Sequence, residues 1–337
     1  MTSLSASRLT VALLVLCISL SQAVASAQGK AKTTLEQITQ IPTADGKQQP
    51  IRVFVPELEK KEAVPLLVFL HSWSGNYKQS NMKWVMQAQE RNWAVVLPNF
   101  QGPNFQPTAC GSELAQQEIL DALDYMMSTY HIDSSRIYLA GASGGGHMSM
   151  LMAAKHSSRF SAVSAWVGIT DLNAWHEFHT RGEKPTGYAL NIEASCGGKP
   201  GDSDEVDAQY VARSPLFHLG NTGDLPLDIA AGIHDGHTGS VPVSHSLNAF
   251  NVIASSRNEP TIPEQLIQEI VETEEVSADV SVFDSGSDSN ENYPRKIHLR
   301  RTAGPARVTI FEGGHEGLAA AAIEWLAQQQ RETKSDE

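Results

Sequence analysis

From about residue 50 onward, short apolar runs alternate with stretches whose apolar positions recur at helical spacing. Ile51 to Val55 reads as a first strand. Pro65 to Leu70 and Trp93 to Leu97 are continuous apolar runs, the pattern of strands buried on both faces, and Pro98 stops the second. Glu113 to Tyr130 has helical spacing, with Leu114, Ile119, Leu120, Leu123, Tyr125 and Met126 as its buried candidates. Arg136–Ala140, Phe160–Val167, Leu227–Ile233 and Val308–Phe311 complete the strands. Gly146–Ala154, Ser244–Ala254 and Leu318–Gln330 read as the helices between and after them. Such alternation predicts an α/β fold, a doubly wound and mostly parallel sheet.

Other stretches depart from the rhythm. Residues 28–50 are polar and read as a flexible lead-in, and residues 331–337 as a polar tail. Residues 171–225 mix aromatics, Gly and Pro without a clear period, which predicts a cap-like insert beside the site. Residues 255–306 contain the acidic run Glu272 to Glu275 and the polar segment Asp284 to Ser289, and read as an insertion before the last core strand. Residues 51–330 then form a single domain with no internal repeat.

The first 27 residues read as an address. Arg8 is their one charge, an apolar run from Leu9 to Leu20 follows, and Ala25-Ser26-Ala27 offers a small-x-small cleavage site, with Ala23-Val24-Ala25 as an earlier option. The run is shorter than the roughly 20 residues that span a bilayer. The expectation is an exported chain, periplasmic or extracellular, with no stable membrane insertion after cleavage. Cys17 leaves with the peptide, so Cys110 and Cys196 remain as candidates for a disulfide.

Composition narrows the partners. The chain has 337 residues, 41% of them apolar, enough for a sizeable core. Its net charge is −13, and no basic cluster interrupts that acidity, so nucleic acid is a poor partner. Gly144-Gly145-Gly146 lacks the Lys-Ser/Thr that completes a phosphate loop. The pairs His234/His237 and His176/His179 have no companion ligands at a recognisable spacing, so no metal or other cofactor is expected.

The chemistry concentrates in Arg136-Ile-Tyr-Leu-Ala-Gly-Ala-Ser143-Gly-Gly-Gly-His147. Gly141, Ser143 and Gly145 match G-x-S-x-G between a strand and a helix, where a sharp turn exposes the serine hydroxyl at a helix N-terminus. A serine nucleophile needs a histidine base and a carboxylate to orient it, in the chain order Ser, acid, His for this fold. His315 follows the last strand in a Gly-rich turn, whereas His298 lies in a charged strand. Asp235 sits just beyond the Leu227–Ile233 strand. Asp228 begins that strand at the wrong edge, and Asp202, Asp204 and Asp207 belong to a polar loop. The backbone amides of Trp73, in the loop after Pro65–Leu70, and of Gly144 are the candidate oxyanion donors. His147 either faces the site or packs behind it. Trp73, Trp166, Trp175 and Phe178 lie near the same edge. Trp166 reads as core, and Trp175 and Phe178 are the candidates for binding substrate.

These motifs resemble the α/β-hydrolase superfamily, most closely its prolyl-oligopeptidase and esterase branch (polyhydroxybutyrate-depolymerase- or feruloyl-esterase-like). The likeness spans residues 50–330. It rests on Gly141–Gly145, His71–Gly75, Ala231–Asp235 with Val241-Pro242, and Gly313–His315, with Cys196-Gly-Gly and Arg213-Ser-Pro-Leu before the acid. The resemblance implies a Ser143–Asp235–His315 triad and hydrolysis through an acyl-enzyme without a metal. The sequence departs from the branch in three ways. The oxyanion loop has Ser72-Trp73 after His71 where relatives have Gly. Five residues separate Asp235 from Val241 rather than two. The amino-terminal propeller of the oligopeptidases has no counterpart. The expected activity is therefore hydrolysis of carboxylic esters, small or polymeric. A peptidase on the same triad is the first rival, and an inactive binding protein on this scaffold the second.

Overall fold

The computed structural model describes residues 34–57, 63–286 and 293–332. The expected signal segment and the first residues of the lead-in lie outside them, as do residues 333–337. Nine strands form one sheet: β1 (Thr34–Pro42), β2 (Gln48–Pro56), β3 (Val64–Leu70), β4 (Ala94–Pro98), β5 (Ile132–Ala142), β6 (Ala162–Trp166), β7 (Leu227–Gly232), β8 (Ile297–Ala303) and β9 (Ala306–Phe311). Their spatial order is β1-β2-β4-β3-β5-β6-β7-β9-β8. The run from β4 to β9 is parallel, and the pairs β1/β2, β2/β4 and β8/β9 are antiparallel. The continuous apolar runs are the central strands. Every residue of β3, β4, β6, β7 and β9 is buried, since helices cover both faces of a parallel sheet.

The helices are α1 (Met82–Gln89), α2 (Glu113–Thr129), α3 (Gly144–Lys155), α4 (Leu172–Thr180), α5 (Gly187–Cys196), α6 (Asp204–Arg213), α7 (Ser244–Ser256), α8 (Glu264–Thr273) and α9 (Ala319–Ala327). Among the described residues none is long and apolar enough to cross a membrane. From β3 the chain steps outward to β4 and then back across to β5. The loops leaving β3 and β5 therefore meet at the crevice where an α/β sheet changes winding direction.

Three expectations are corrected. Residues 34–50 are not a loose lead-in: β1 pairs with β2 from Thr34–Pro56 to Pro42–Gln48 around an Asp45-Gly46 turn. Gly46 takes φ +80°, and Asp45 accepts from Thr43 Oγ1 at 2.6 Å. The 255–306 segment is not wholly an insertion, since β8 is the edge strand of the core sheet. Its charge is accommodated individually: buried Arg300 donates to Thr309 Oγ1 at 3.0 Å and lies over the Tyr293 ring. Finally, Cys110 and Cys196 share one apolar cluster as free buried thiols, and the expected bridge is not formed. Burial pushes the Cys196 thiol up to about 12 and raises that of Cys110 as well, so neither ionises readily.

The 171–225 segment consists of α4, α5 and α6, followed by short 3₁₀ turns. Asp171 caps α4 by accepting from the Asn173 and Ala174 amides, and Ser203 caps α6 through the Val206 amide. The helices close over an apolar cluster that includes Trp73, Leu172, Trp175, Ile192, Tyr210 and Val241. That cluster joins the insert to loops at the carboxyl edge of the sheet.

Candidate active site

Ser143 stands between β5 and α3 at φ 58°, ψ −120°, a conformation that few side-chain-bearing residues hold. Its amide donates to the Trp166 carbonyl of the neighbouring strand at 2.9 Å, and its carbonyl accepts from the His147 amide at 2.9 Å. The flanking glycines are required by close approach. A Cβ at Gly141 would overlap the Gly145 backbone, and one at Gly145 would overlap the Leu70 carbonyl at the end of β3.

Ser143 Oγ lies 2.9 Å from His315 Nε2, and His315 Nδ1 lies 2.8 Å from Asp235 Oδ2. The three side chains chosen from the sequence thus form one hydrogen-bonded line, each on a loop leaving a parallel strand. Asp235 is buried, and its Oδ1 accepts from the amides of Gly236 at 3.1 Å and Val241 at 3.2 Å. The strands that carry the acid and the histidine meet at Gly232, where a Cβ would overlap the carbonyls of Gly313 and Gly314.

The Trp73 amide lies against Gly144, where an added Cβ would come within 2.5 Å of Trp73 Cα. Neither amide donates to a protein acceptor among the described residues. Both are available to an oxyanion beside Ser143. Two residues without a sequence signal fix this loop. Gln79 Oε1 accepts from the Ser72 amide at 2.8 Å, and the Asn104 amide donates to the Trp73 carbonyl at 2.9 Å. His71 reaches the Asn99 carbonyl at 2.9 Å and stacks on Phe100 at 3.8 Å.

A cavity of about 360 Å3 opens over Ser143 and His315, with Asn81, Trp84, Tyr188 and Glu316 among its lining residues. Trp175 and Phe178 are not in its wall. Trp175 is 1% exposed, edge-on to Trp73 at 4.7 Å, and donates through Nε1 to the Ser240 carbonyl at 2.7 Å. Phe178 packs on the same cluster, its ring edge-on to His179 and 5.6 Å from the Arg181 guanidinium. The expected aromatic wall is supplied instead by Trp84 and by Tyr188, whose ring lies tilted against Trp175 at 5.0 Å. A strand-end position identifies an aromatic residue but not the direction its ring takes.

The other histidines have local roles. His147 is buried behind the elbow and donates through Nε2 to the Arg213 carbonyl at 2.8 Å, and burial depresses its pKa to about 4. His245 is held neutral by burial, down to about 3, and its Nδ1 accepts from the Thr170 amide at 3.2 Å. His176 pairs with Glu193. His234 lies between Glu312 and Glu274, which together raise its pKa. Asp228, set aside as a site residue, forms a buried ion pair with Arg307 at 2.7 Å.

Residues 80–263 match the model of the prolyl oligopeptidase family. Over 157 residues the chain is 26% identical to feruloyl esterase B of Neurospora crassa, covering 45% of this chain and 50% of that one. Over 84 residues it is 34% identical to a bifunctional acetylxylan esterase/xylanase of Neocallimastix patriciarum, covering 24% of this chain and 12% of that one. The chain thus spans half or less of the length of these curated relatives. Its fold is similar to that of a puromycin-hydrolysing peptidase of Mycobacterium tuberculosis, with a TM-score of 0.59 and 15% identity over 90% of this chain and 39% of that one. The sheet is that of the α/β-hydrolase fold.

Proposed function

We propose, from the premise that this chain belongs to the prolyl oligopeptidase family and is a serine hydrolase, that it cleaves carboxylic esters through an acyl-enzyme on Ser143. The observation that carries this reading is the line Ser143–His315–Asp235 beside two amides that have no protein acceptor among the described residues. His315 takes the Ser143 proton as Oγ adds to the ester carbonyl. Asp235 holds the imidazole in the tautomer that accepts at Nε2, and carries the imidazolium once it forms. The amides of Trp73 and Gly144 receive the oxyanion. His315 then protonates the departing alcohol and activates water for deacylation.

The cavity wall fits an acyl group of modest size, with Tyr188 and Trp84 as aromatic surfaces and Asn81 as a polar one. Acyl groups on polysaccharides or other polymers are the proposed substrates, in keeping with the two esterases that the chain resembles. Export belongs to the same reading, with cleavage after Ala27. The N-terminal sequence of the secreted protein tests it.

A second reading, a peptidase, has one specific observation in its favour. The carboxylate of Glu316 lines the cavity beside His315 and suits a substrate amine, although Arg295 at 3.3 Å partly neutralises it. Matched chromogenic esters and aminoacyl amides, given to the parent and to Ser143→Ala, separate the two. Ester turnover lost in the variant with amides untouched supports the esterase, and Ser143-dependent amide turnover transfers the assignment to a peptidase. Absence of any Ser143-dependent turnover across acetyl, longer-chain and feruloyl esters and across the aminoacyl amides would refute both.

A further inference from the structure

The acid loop carries a second hydroxyl to the histidine. Ser240 Oγ lies 3.5 Å from His315 Nε2, the nitrogen that faces Ser143. The five residues between Asp235 and Val241 make this approach possible, because they return the chain past the acid. Gly239 passes so close that a Cβ there would lie 2.6 Å from His315 Cβ and overlap Asp235 Oδ1. The insert then fixes Ser240 from below. Trp175 Nε1 at 2.7 Å and His179 Nε2 at 3.0 Å both donate to the Ser240 carbonyl. Burial keeps His179 neutral, its pKa held below the usual histidine range. A carbonyl that accepts two ring N–H groups has little freedom, so the hydroxyl of the same residue is presented in a set place.

We infer that Ser240 is a positioning residue for deacylation, holding the attacking water at His315 Nε2 after the alcohol has left. This rests on the esterase reading above. Once Ser143 is acylated its oxygen has no proton to donate, and Nε2 is free to accept from water. A water within hydrogen-bond distance of both Nε2 and Ser240 Oγ gives its proton to Nε2 as its oxygen adds to the acyl carbonyl. The tetrahedral intermediate then expels Ser143 Oγ, which takes the proton back from Nε2, and the carboxylic acid departs. Acylation needs no such water, so the hydroxyl acts on one half-reaction only.

Ser240→Ala removes the hydroxyl and keeps the clamped carbonyl. With p-nitrophenyl acetate, kcat and KM are expected to fall together by about tenfold, the worth of one oriented hydrogen bond, while kcat/KM, which reports acylation, holds. Acid-quenched mass spectrometry during turnover should find acetylated Ser143 accumulating in the variant, and Ser240→Thr should restore deacylation. An equal fall in kcat/KM, or unchanged deacylation with acyl-enzyme at the parent level, overturns the inference. If the parent never forms an acyl group on Ser143, the esterase reading fails and takes this one with it. Acylation intact but indifferent to Ser240 refutes this inference alone.

Discussion

Asp235→Asn isolates the orienting role of the acid, because the surroundings dictate what the amide must do. In the parent, Oδ2 receives His315 Nδ1–H, and Oδ1 receives the Gly236 and Val241 amides. An asparagine has one acceptor oxygen. If that oxygen keeps the two backbone donors, the side-chain NH2 faces Nδ1 and stabilises the tautomer with hydrogen on Nε2, which cannot accept the Ser143 proton. If it turns to His315 instead, the NH2 opposes two backbone N–H groups, and two hydrogen bonds of about 1 kcal/mol each are lost. The productive tautomer is thus disfavoured by about 2–3 kcal/mol, or about a hundredfold, and loss of the charge facing the imidazolium adds about another ten- to hundredfold. The expected fall in kcat is about 10³–10⁴-fold at neutral pH with KM little changed, read by initial rates on p-nitrophenyl acetate. Equal thermal melts of parent and variant would exclude unfolding as the cause. A kcat within tenfold of the parent would refute the assignment of Asp235.

Gly144→Ala drives a methyl into the Trp73 amide, and Gln79 and Asn104 prevent that loop from yielding. It should lower kcat about 10²–10³-fold, as loss of an oxyanion donor does, and retention of half the parent rate would refute the role given to these amides. Trp175→Ala empties a buried site and removes the hydrogen bond to the Ser240 carbonyl, so it should cost about 3–5 kcal/mol in urea unfolding. It should also reduce turnover of acetyl and feruloyl esters alike, whereas a loss confined to feruloyl esters would return Trp175 to the cavity wall. His147 and His245 are depressed to about 4 and about 3 in the fold, against an ordinary histidine near 6.5 once unfolded. The unfolded chain therefore binds protons that the native chain refuses, and stability falls as pH drops below about 6.5. Together the two histidines remove about 3 kcal/mol between pH 6.5 and 5, and a melting temperature unchanged over that interval would contradict their neutral burial.

The central sheet was legible because strands buried on both faces must be apolar throughout, and Pro65–Leu70 could hardly be anything else. The edge strands carry no such constraint. β1 pairs on one side only and leaves Ile38 in solvent, while β8 carries His298, Arg300 and Arg301, whose charge is met by Glu312 and Thr309 across the hairpin and by the Ser281 carbonyl before it. Ser143 and His315 could be read because the elbow needs glycine at fixed offsets and the last strand leaves few histidines to choose from. Gln79 and Asn104 could not, since Gln79 folds back onto the Ser72 amide of its own connection and Asn104 holds the Trp73 carbonyl through a backbone amide that its side-chain type does not signal. Trp175 was read by its type and position, but the direction of its ring depended on a cluster assembled from α4, α5, α6 and four loops.

Trp73 joins substrate selection to chemistry. Its amide faces the site, while its indole forms part of the cluster under the insert, edge-on to Trp175 and near His147 at 6.1 Å. A change of shape in that cluster must move either the insert or the residue whose amide receives the oxyanion. The insert is itself tied to Ser240 through Trp175 and His179, so neither side shifts without disturbing a group beside Ser143. The opposite wall is built differently. Trp84 on α1 packs against Phe69 at 4.6 Å within the main core, and Asn81 begins the same helix, with no part in the aromatic cluster. Changes in acyl preference that leave turnover intact should therefore arise at Asn81 on the α1 wall, whereas changes from the insert side should alter kcat and KM together.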